Sequence, residues 1–300
     1  MSYVILDLEW NGSYSKMLHK FVNEIIEFGA VKVDEELNII DTFSVLIVPK
    51  IGKKLCSKVK ELTKITNEEL MQDGIGFINA LSMFAEFLGD DVLMTWSDSD
   101  LHALTENYSY YTGDVRLPFL KKYCNIQKYC ENCLDLHDKS AQLGLSACAD
   151  AVGITFSQDE QHRAFADAYL SLECLVRFKG SFSLEPFIVD ADNAEFYNRL
   201  LFKNHFITNI NSREIDRSQM NFDCDICGKQ MSQTSKWRLR NKNFTADFYC
   251  PLCKKKFTGR ISFKKTYERV IVKKRLIEKT DKKKETDGQE ADAVKQINTK

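Results

Sequence analysis

Ser2-Tyr3-Val4-Ile5-Leu6-Asp7-Leu8-Glu9 opens the chain with a short apolar run that closes on two acids. The run reads as a buried central strand. Side chains alternate along a strand, so Asp7 and Glu9 project to the same side. Two carboxylates at the end of a buried strand repel each other, and each raises the other's pKa unless a cation intervenes. Magnesium or manganese is the natural cation for an all-oxygen site. Taken alone, the stretch reads equally as a strand that runs out into solvent. Pieces further along the chain decide between the two.

Outward from this strand, Asn11 to Lys20 is polar and reads as a loop. Glu24 to Val33 and Leu37 to Val48 are rich in β-branched residues around Asp34-Glu35-Glu36, which predicts a hairpin ended by Pro49. Thr66-Asn67-Glu68-Glu69 is a capping-box signature. Phe77 to Leu88 carries apolar residues at helical spacing, and Asp91 to Trp96 reads as a short strand. Ser97-Asp98-Ser99 reads as the cap of the next helix, which carries Asp100. Helices follow over Leu143 to Val152 and Ala164 to Phe178, with an ambiguous stretch from Lys128 that ends in a short strand at Leu134 to Leu136. Antiparallel strands first, then strands alternating with helices, indicate an α/β domain with a mixed sheet.

Asp100 follows the strand that ends at Thr95-Trp96, and His162 and Asp167 bracket Arg163-Ala164-Phe165-Ala166. Five residues apart on a regular helix lie about 140° apart in azimuth. His162 therefore belongs on the loop entering the helix and Asp167 one turn inside it. A mobile histidine near fixed carboxylates suits a general base beside metal ligands.

Asp7-x-Glu9, Asp100 and His162-x-x-x-x-Asp167, in that order, resemble the motifs of the DEDDh family of 3′-to-5′ exonucleases. That family includes RNase T, the proofreading ε subunit of bacterial DNA polymerase III and the Eri-like exoribonucleases. Asp7-Leu8-Glu9-Trp10 and Thr95-Trp96-Ser97-Asp98-Ser99-Asp100 look most like the Eri-like and KapD-like branch. The family pattern usually has Gly where this chain has Ser97, which leaves Asp98 as an alternative ligand to Asp100; the pattern favours Asp100. The resemblance covers about residues 1–180 and implies a ribonuclease H-like mixed sheet with flanking helices. It implies two Mg2+ (or Mn2+) ions held by Asp7, Glu9, Asp100 and Asp167, with His162 as general base, and release of 5′-mononucleotides. It also suggests that Leu8 and Trp10, which flank the acids, contact the terminal nucleotide; Trp10 reads equally as a core residue.

Cys224-Asp225-Ile226-Cys227 and Cys250-Pro251-Leu252-Cys253 form two C-x2-C pairs with 22 residues between them. Four thiolates make a closed site for one structural Zn2+, a small C-terminal zinc ribbon. Cys130 and Cys133 have no second pair beside them, though His137 is near, and read as structural; Cys148 and Cys174 sit among apolar residues and read as core. Trp237, Arg238, Arg240 and Lys254-Lys255-Lys256 interleave charge with aromatics around the zinc pairs. That pattern suits phosphate neutralisation and base stacking. The same aromatics also serve as the core of a small ribbon.

Charge divides along the chain: roughly fifteen Lys/Arg against five Asp/Glu over 221–278, and twenty-one against thirty-three over 1–220. An acidic front suits cation binding and a basic rear suits a polyanion. No long apolar run is present, so no membrane span is expected, and the strand begins directly after Met1 without a signal-like core. The chain reads as cytoplasmic, with its ten cysteines reduced. The expected organisation is an exonuclease domain (1–180), a connector (181–220), a basic zinc ribbon (221–278) and an unstructured tail (279–300). The expected substrate is a single-stranded RNA or DNA 3′ end, with RNA favoured. The rival readings are a DNA exonuclease for repair or proofreading, an inactive adaptor with a nuclease-like fold, and a ribbon that binds a protein partner.

Overall fold

The computed structural model describes residues 2–52, 54–136, 142–156 and 162–279. Apart from Lys279, the tail expected to be unstructured lies outside them, as does His137. The chain divides into two units, Met1–Leu201 and Phe202–Lys300.

The first unit begins with three antiparallel strands, β1 (Tyr3–Ser15), β2 (Lys20–Val33) and β3 (Ile39–Leu46). Helices α1 (Ser57–Thr63), α2 (Asn67–Asp73) and α3 (Phe77–Leu88) follow. Strand β4 (Val92–Thr95) leads into α4 (Asp98–Thr112), and β5 (Lys122–Asn125) leads into α5 (Ile126–Cys133). Helices α6 (Leu145–Ala151) and α7 (Ala164–Arg177), strand β6 (Ile188–Asp190) and helix α8 (Ala194–Leu200) complete the unit. The sheet order is β3-β2-β1-β4-β5-β6, with β1, β4 and β5 parallel to one another, so this is the expected α/β mixed sheet.

Alternation along β1 divides the core in two. Val4, Leu6 and Leu8 pack with Phe28 of β2, Phe77 and Phe84 of α3, and Leu101 and Leu104 of α4. Ile5 turns to the other face and packs with Val31, Met94, and Ala168 and Leu172 of α7. Cys148 and Cys174 are fully buried on that second face. The predicted capping box closes around α2: Thr66 Oγ1 accepts from Glu69 N at 3.0 Å, and Glu69 Oε2 accepts from Thr66 N at 3.4 Å.

Two local expectations are corrected. Asn11 to Lys20 is not a loop: β1 and β2 pair as far as Ser15↔Lys20. The polar residues of this stretch are buried because they are bonded. Ser13 Oγ donates to Glu24 Oε2 at 2.9 Å, and Asn11 Oδ1 accepts from Cys56 N at 2.9 Å. The strand expected at Leu134 to Leu136 is absent; Lys122–Asn125 is the strand, and α5 takes the residues after it. Within the expected connector, Ile188 to Asp190 pairs with β5 as the sixth strand.

The second unit holds β7 (His205–Phe206), β8 (Ser232–Gln233), β9 (Arg238–Arg240), β10 (Asn243–Cys250), β11 (Lys255–Lys265) and β12 (Val270–Glu278). Strands run β12-β11-β10-β8, with β9 also on β10 and β7 on β11. One face of this sheet is apolar: Phe244, Ala246, Phe248, Phe257, Ile261 and Phe263 are buried with Met220, Phe222 and Met231. Among the described residues no helix is long and apolar enough to cross a membrane.

Candidate active site

Asp7 and Glu9 continue the Ile5 side of β1, which faces α7. Strand β4 pairs with β1 through Leu6↔Thr95 and ends there, so the first turn of α4 comes up beside the two acids. Asp100 lies in that turn, 5% exposed, and its Oδ1 accepts a hydrogen bond from Leu8 N at 3.1 Å. Helix α7 brings Asp167 from the other direction. The approach depends on Gly29, which pairs with Asp7 on β2. A Cβ at Gly29 would lie 2.0 Å from Phe165 N and 2.2 Å from the Ala164 carbonyl carbon, so only glycine admits the helix. Ligand atoms of Glu9, His162 and Asp167 then all lie within 4.8 Å of one another.

Crowding shows in the protonation of the four carboxyls. Burial pushes Asp7 well above the ordinary carboxylate range, and the charges of Asp100, Asp167 and Glu9 push it further. Burial, then Asp167 and Glu27, raise Glu9 to about 8. Asp100 rises to about 7, chiefly by burial, although the Leu8 N–H opposes the shift. Burial also raises Asp167, against the hydrogen bond from His162 N. Four such groups stay ionised together near neutral pH only when positive charge is supplied between them. An all-oxygen donor set of this kind fits hard divalent cations.

Asp98, the alternative to Asp100, is engaged elsewhere. Its carboxylate accepts from Tyr123 Oη at 3.0 Å, Asn125 Nδ2 at 2.8 Å and Lys128 Nζ at 3.2 Å. Burial works against its ionisation, but Lys128 and these hydrogen bonds outweigh it and hold the pKa below the ordinary value. Ser97 caps α4, its Oγ accepting from Ser99 N at 3.2 Å.

His162 is exposed at the entrance to α7, outside the helix, with Asp167 in the first turn. Its backbone is left-handed (φ 66°), uncommon for a side-chain-bearing residue. His162 N donates to Asp167 Oδ2 at 3.3 Å. The next residue makes a contact the motif reading missed. Arg163 donates through Nε and Nη2 to Glu27 Oε1 at 3.0 and 2.7 Å, and Ala164 N donates to Glu27 Oε2 at 3.0 Å. Glu27 sits opposite Glu9 on β2. This clamp holds the helix entrance against the sheet. Its sequence signals were an acid and a glycine, Glu27 and Gly29, inside the otherwise apolar run Ile25 to Val31.

The expected nucleotide contact by Leu8 is corrected: the side chain is 3% exposed and lies in the core opposite the acids, as strand alternation requires. Trp10 is partly buried and packs against the same core.

In the second unit the four cysteines converge. Cys224 and Cys253 Sγ are 3.9 Å apart, Cys227 and Cys250 Sγ 3.6 Å, and all four lie within 4.8 Å. Gly228, at φ 69°, turns the first knuckle, and its N–H donates to Cys224 O at 2.8 Å. The Cys253 N–H donates to Cys250 Sγ and lowers that thiol to about 7. Trp237 does not stand free for base stacking; it packs against Phe222 and Phe248 in the ribbon core. Arg238 and Arg240 are exposed on β9. The lysine triplet is divided: Lys255 pairs with Glu278 at 2.8 Å, Lys256 lies opposite Tyr249, and Lys254 takes a left-handed turn (φ 53°) before β11.

A family model described as "Exonuclease" (RNase T) matches residues 4–175. A protein of Bacillus subtilis (strain 168) named as a probable 3′-5′ exonuclease, KapD, is 32% identical over 124 residues, covering 39% of this chain and 57% of that protein. A PolC-type DNA polymerase III of the same organism is 28% identical over 185 residues, covering 58% of this chain and 11% of the polymerase. The chain thus spans little more than half of the first relative and about a tenth of the second. Among solved structures, the nuclease domain of 3′hExo, a DEDDh family member bound to rAMP, superposes with a TM-score of 0.52 at 23% identity, covering 60% of this chain and 92% of that domain. The fold of the first unit is therefore that of the ribonuclease H-like exonucleases.

Proposed function

This chain belongs to the RNase T-type exonuclease family, and on that premise we propose that it is of the DEDDh type, hydrolyses single-stranded nucleic acid from the 3′ end and releases 5′-mononucleotides. The observation that carries the reading is the meeting of Asp7, Glu9, Asp100 and Asp167 from three elements, with His162 at the open side of the cluster.

Asp7, Glu9, Asp100 and Asp167 would hold two magnesium or manganese ions. When bound, such ions make a water acidic enough to attack a phosphodiester and neutralise charge on the leaving oxygen. His162 accepts the proton of the attacking water at an imidazole nitrogen and returns it to solvent. The Leu8 N–H fixes the rotamer of Asp100, and the Glu27–Arg163 pair fixes the helix that carries Asp167. The four ribbon cysteines would hold one structural zinc. A tetrahedron with Zn–S bonds of about 2.3 Å has S···S edges of about 3.8 Å, and the two sulfur separations of 3.6 and 3.9 Å bracket that value.

RNA is the favoured polymer, supported by the likeness of the first two motifs to the Eri-like and KapD-like branch. The PolC-type relative supports the DNA reading. The test is degradation of 5′-labelled single-stranded RNA and DNA of one sequence with Mg2+, Mn2+ or EDTA, beside Asp7→Ala. A metal-dependent ladder shortening from the 3′ end and absent in the mutant is expected, faster on RNA. Faster cleavage of DNA would reverse the polymer assignment, and no cleavage of either would sink the enzyme reading.

A further inference from the structure

The solvent face of the second sheet carries a row of arginines that neither metal site uses. Arg238 on β9 pairs with Thr245 on β10, Thr245 with Arg260 on β11, and Arg260 with Arg275 on β12. Residues directly opposite one another share a face. Three guanidiniums and one hydroxyl therefore line up across four strands, over about 14 Å at the usual strand spacing. Two residues along the strands, Arg240 pairs with Asn243 and Ser262 with Lys273, which adds a second row about 7 Å away. Arg238, Arg240, Arg260, Lys273 and Arg275 are all exposed. Two hollows of about 210 and 250 Å³ adjoin on this face; they share Arg240 and Thr245, with Arg238 walling the first and Arg260 the second.

Like charges placed directly opposite each other destabilise a sheet, and Arg260 faces Arg275 across β11 and β12. Among the described residues no ion pair is made by either arginine. The unit's ion pairs go to Lys255, Lys265 and Lys279, and among the described residues none reaches the five cations named above. The acid on this face, Asp247, is taken by Lys279 at 2.7 Å and by Thr258 at 3.2 Å. Most aromatics of the ribbon lie on the opposite, buried face; Tyr249, which alternates with Asp247 and Thr245 along β10, lies on this one. What remains is a polar face with guanidiniums at regular spacing, of which, among the described residues, only Arg238 feels a nearby acid, Asp247. That spacing is the geometry that takes phosphates two hydrogen bonds at a time.

We propose that this face binds the phosphate backbone of single-stranded nucleic acid, through Arg238, Arg260 and Arg275 with Arg240 and Lys273 beside them. Its contacts are chiefly to charge. The proposal rests on the exonuclease reading for the kind of polymer, and it moves the main contact from the lysine triplet to the arginines: alternation turns Lys255 to the other face and leaves only Lys256, of the triplet's two lysines in β11, on this one.

The test uses the full chain in EDTA, where cleavage is silent, and the anisotropy of a 5′-fluorescein single-stranded RNA 20-mer between 50 and 200 mM salt. In Arg238→Glu/Arg260→Glu/Arg275→Glu the dissociation constant is expected to rise at least tenfold. The slope of log K against log salt should shrink by about 2, from ~0.7 per lost phosphate contact. Arg238→Gln/Arg260→Gln/Arg275→Gln is the milder companion, and zinc content with far-UV circular dichroism reports whether either variant is folded. Unchanged affinity and slope in a folded triple variant overturns the proposal. So does an equal loss in Lys255→Gln, which should change affinity less than twofold. Failure of the exonuclease reading is separable: wild-type chain that binds with the steep slope but cleaves nothing in Mg2+ loses the enzyme and keeps the binding face.

Discussion

At the scale of single residues, the candidate site is a problem of crowded negative charge. A carboxyl whose pKa is higher folded than unfolded binds more protons in the folded state between the two values, so stability falls as pH rises through that window. Glu9 at about 8 and Asp100 at about 7 set the upper edge, and the ordinary carboxyl value near 4 sets the lower. Metal-free protein is therefore expected to lose melting temperature steadily from about pH 5 to pH 8. Magnesium should restore it most at the alkaline end, and Asp7→Asn should flatten the slope. A melting temperature independent of pH in EDTA would show that the acids are not coupled. His162 acts on a proton and leaves the ligand set intact in this scheme. His162→Ala should accordingly lower kcat by roughly 10²- to 10⁴-fold, with Mn2+ affinity, read by calorimetry, close to wild type. Equal loss of metal binding would make His162 a ligand first.

At the scale of elements, the site is assembled by one close crossing. Helix α7 lies on β2 at Gly29, and the Glu27–Arg163 clamp holds its first turn there. Gly29→Ala drives a methyl into helix backbone, which has no rotamer with which to yield. The expected cost is about 1–3 kcal/mol of stability, read as a fall in melting temperature, together with an activity loss larger than the unfolded fraction explains. Wild-type activity and stability in that variant would mean that the helix does not sit where the crossing puts it. These elements were unequally legible. Helix α3 and the Thr66 cap declare themselves by periodicity and by a local hydrogen-bond pattern. The β1–β2 ribbon beyond Trp10 does not, because Asn11, Ser13 and Ser15 are buried by hydrogen bonding and not by apolarity. Strand β5 is too short for a period to register, and β6 belongs to the sheet only through a partner more than sixty residues earlier.

At the scale of the whole molecule, the two units draw stability from different sources. The first has two apolar layers on either side of a six-stranded sheet. The second has one small layer and a four-thiol cluster, the arrangement in which metal binding is folding free energy. One equivalent of zinc per chain is expected. Cys224→Ser, or a chelator that competes for thiolate-bound zinc, should abolish the second unit's unfolding transition and leave the first unit's in place. A single transition lost as a whole would show that the units fold as one.

The sequence alone marked the candidate residues. Asp7, Glu9, Asp100, His162 and Asp167, and the two cysteine pairs, are legible because ligand identity and short spacing are local properties of a chain. Strand alternation in Ser2 to Glu9 already placed both acids on one side. Tertiary structure decided which residues meet. It set Asp100 and not Asp98 toward the acids, because Tyr123, Asn125 and Lys128 hold Asp98 away. It buried Leu8 in the core and packed Trp237 against the ribbon core, and it exposed Gly29 and Glu27 as the seat of α7. It also moved the basic surface from a run of lysines to a row of arginines. Strands pair residues far apart in sequence, and alternation sends neighbours in the chain to opposite faces, so charge that is contiguous in the sequence need not be contiguous in space.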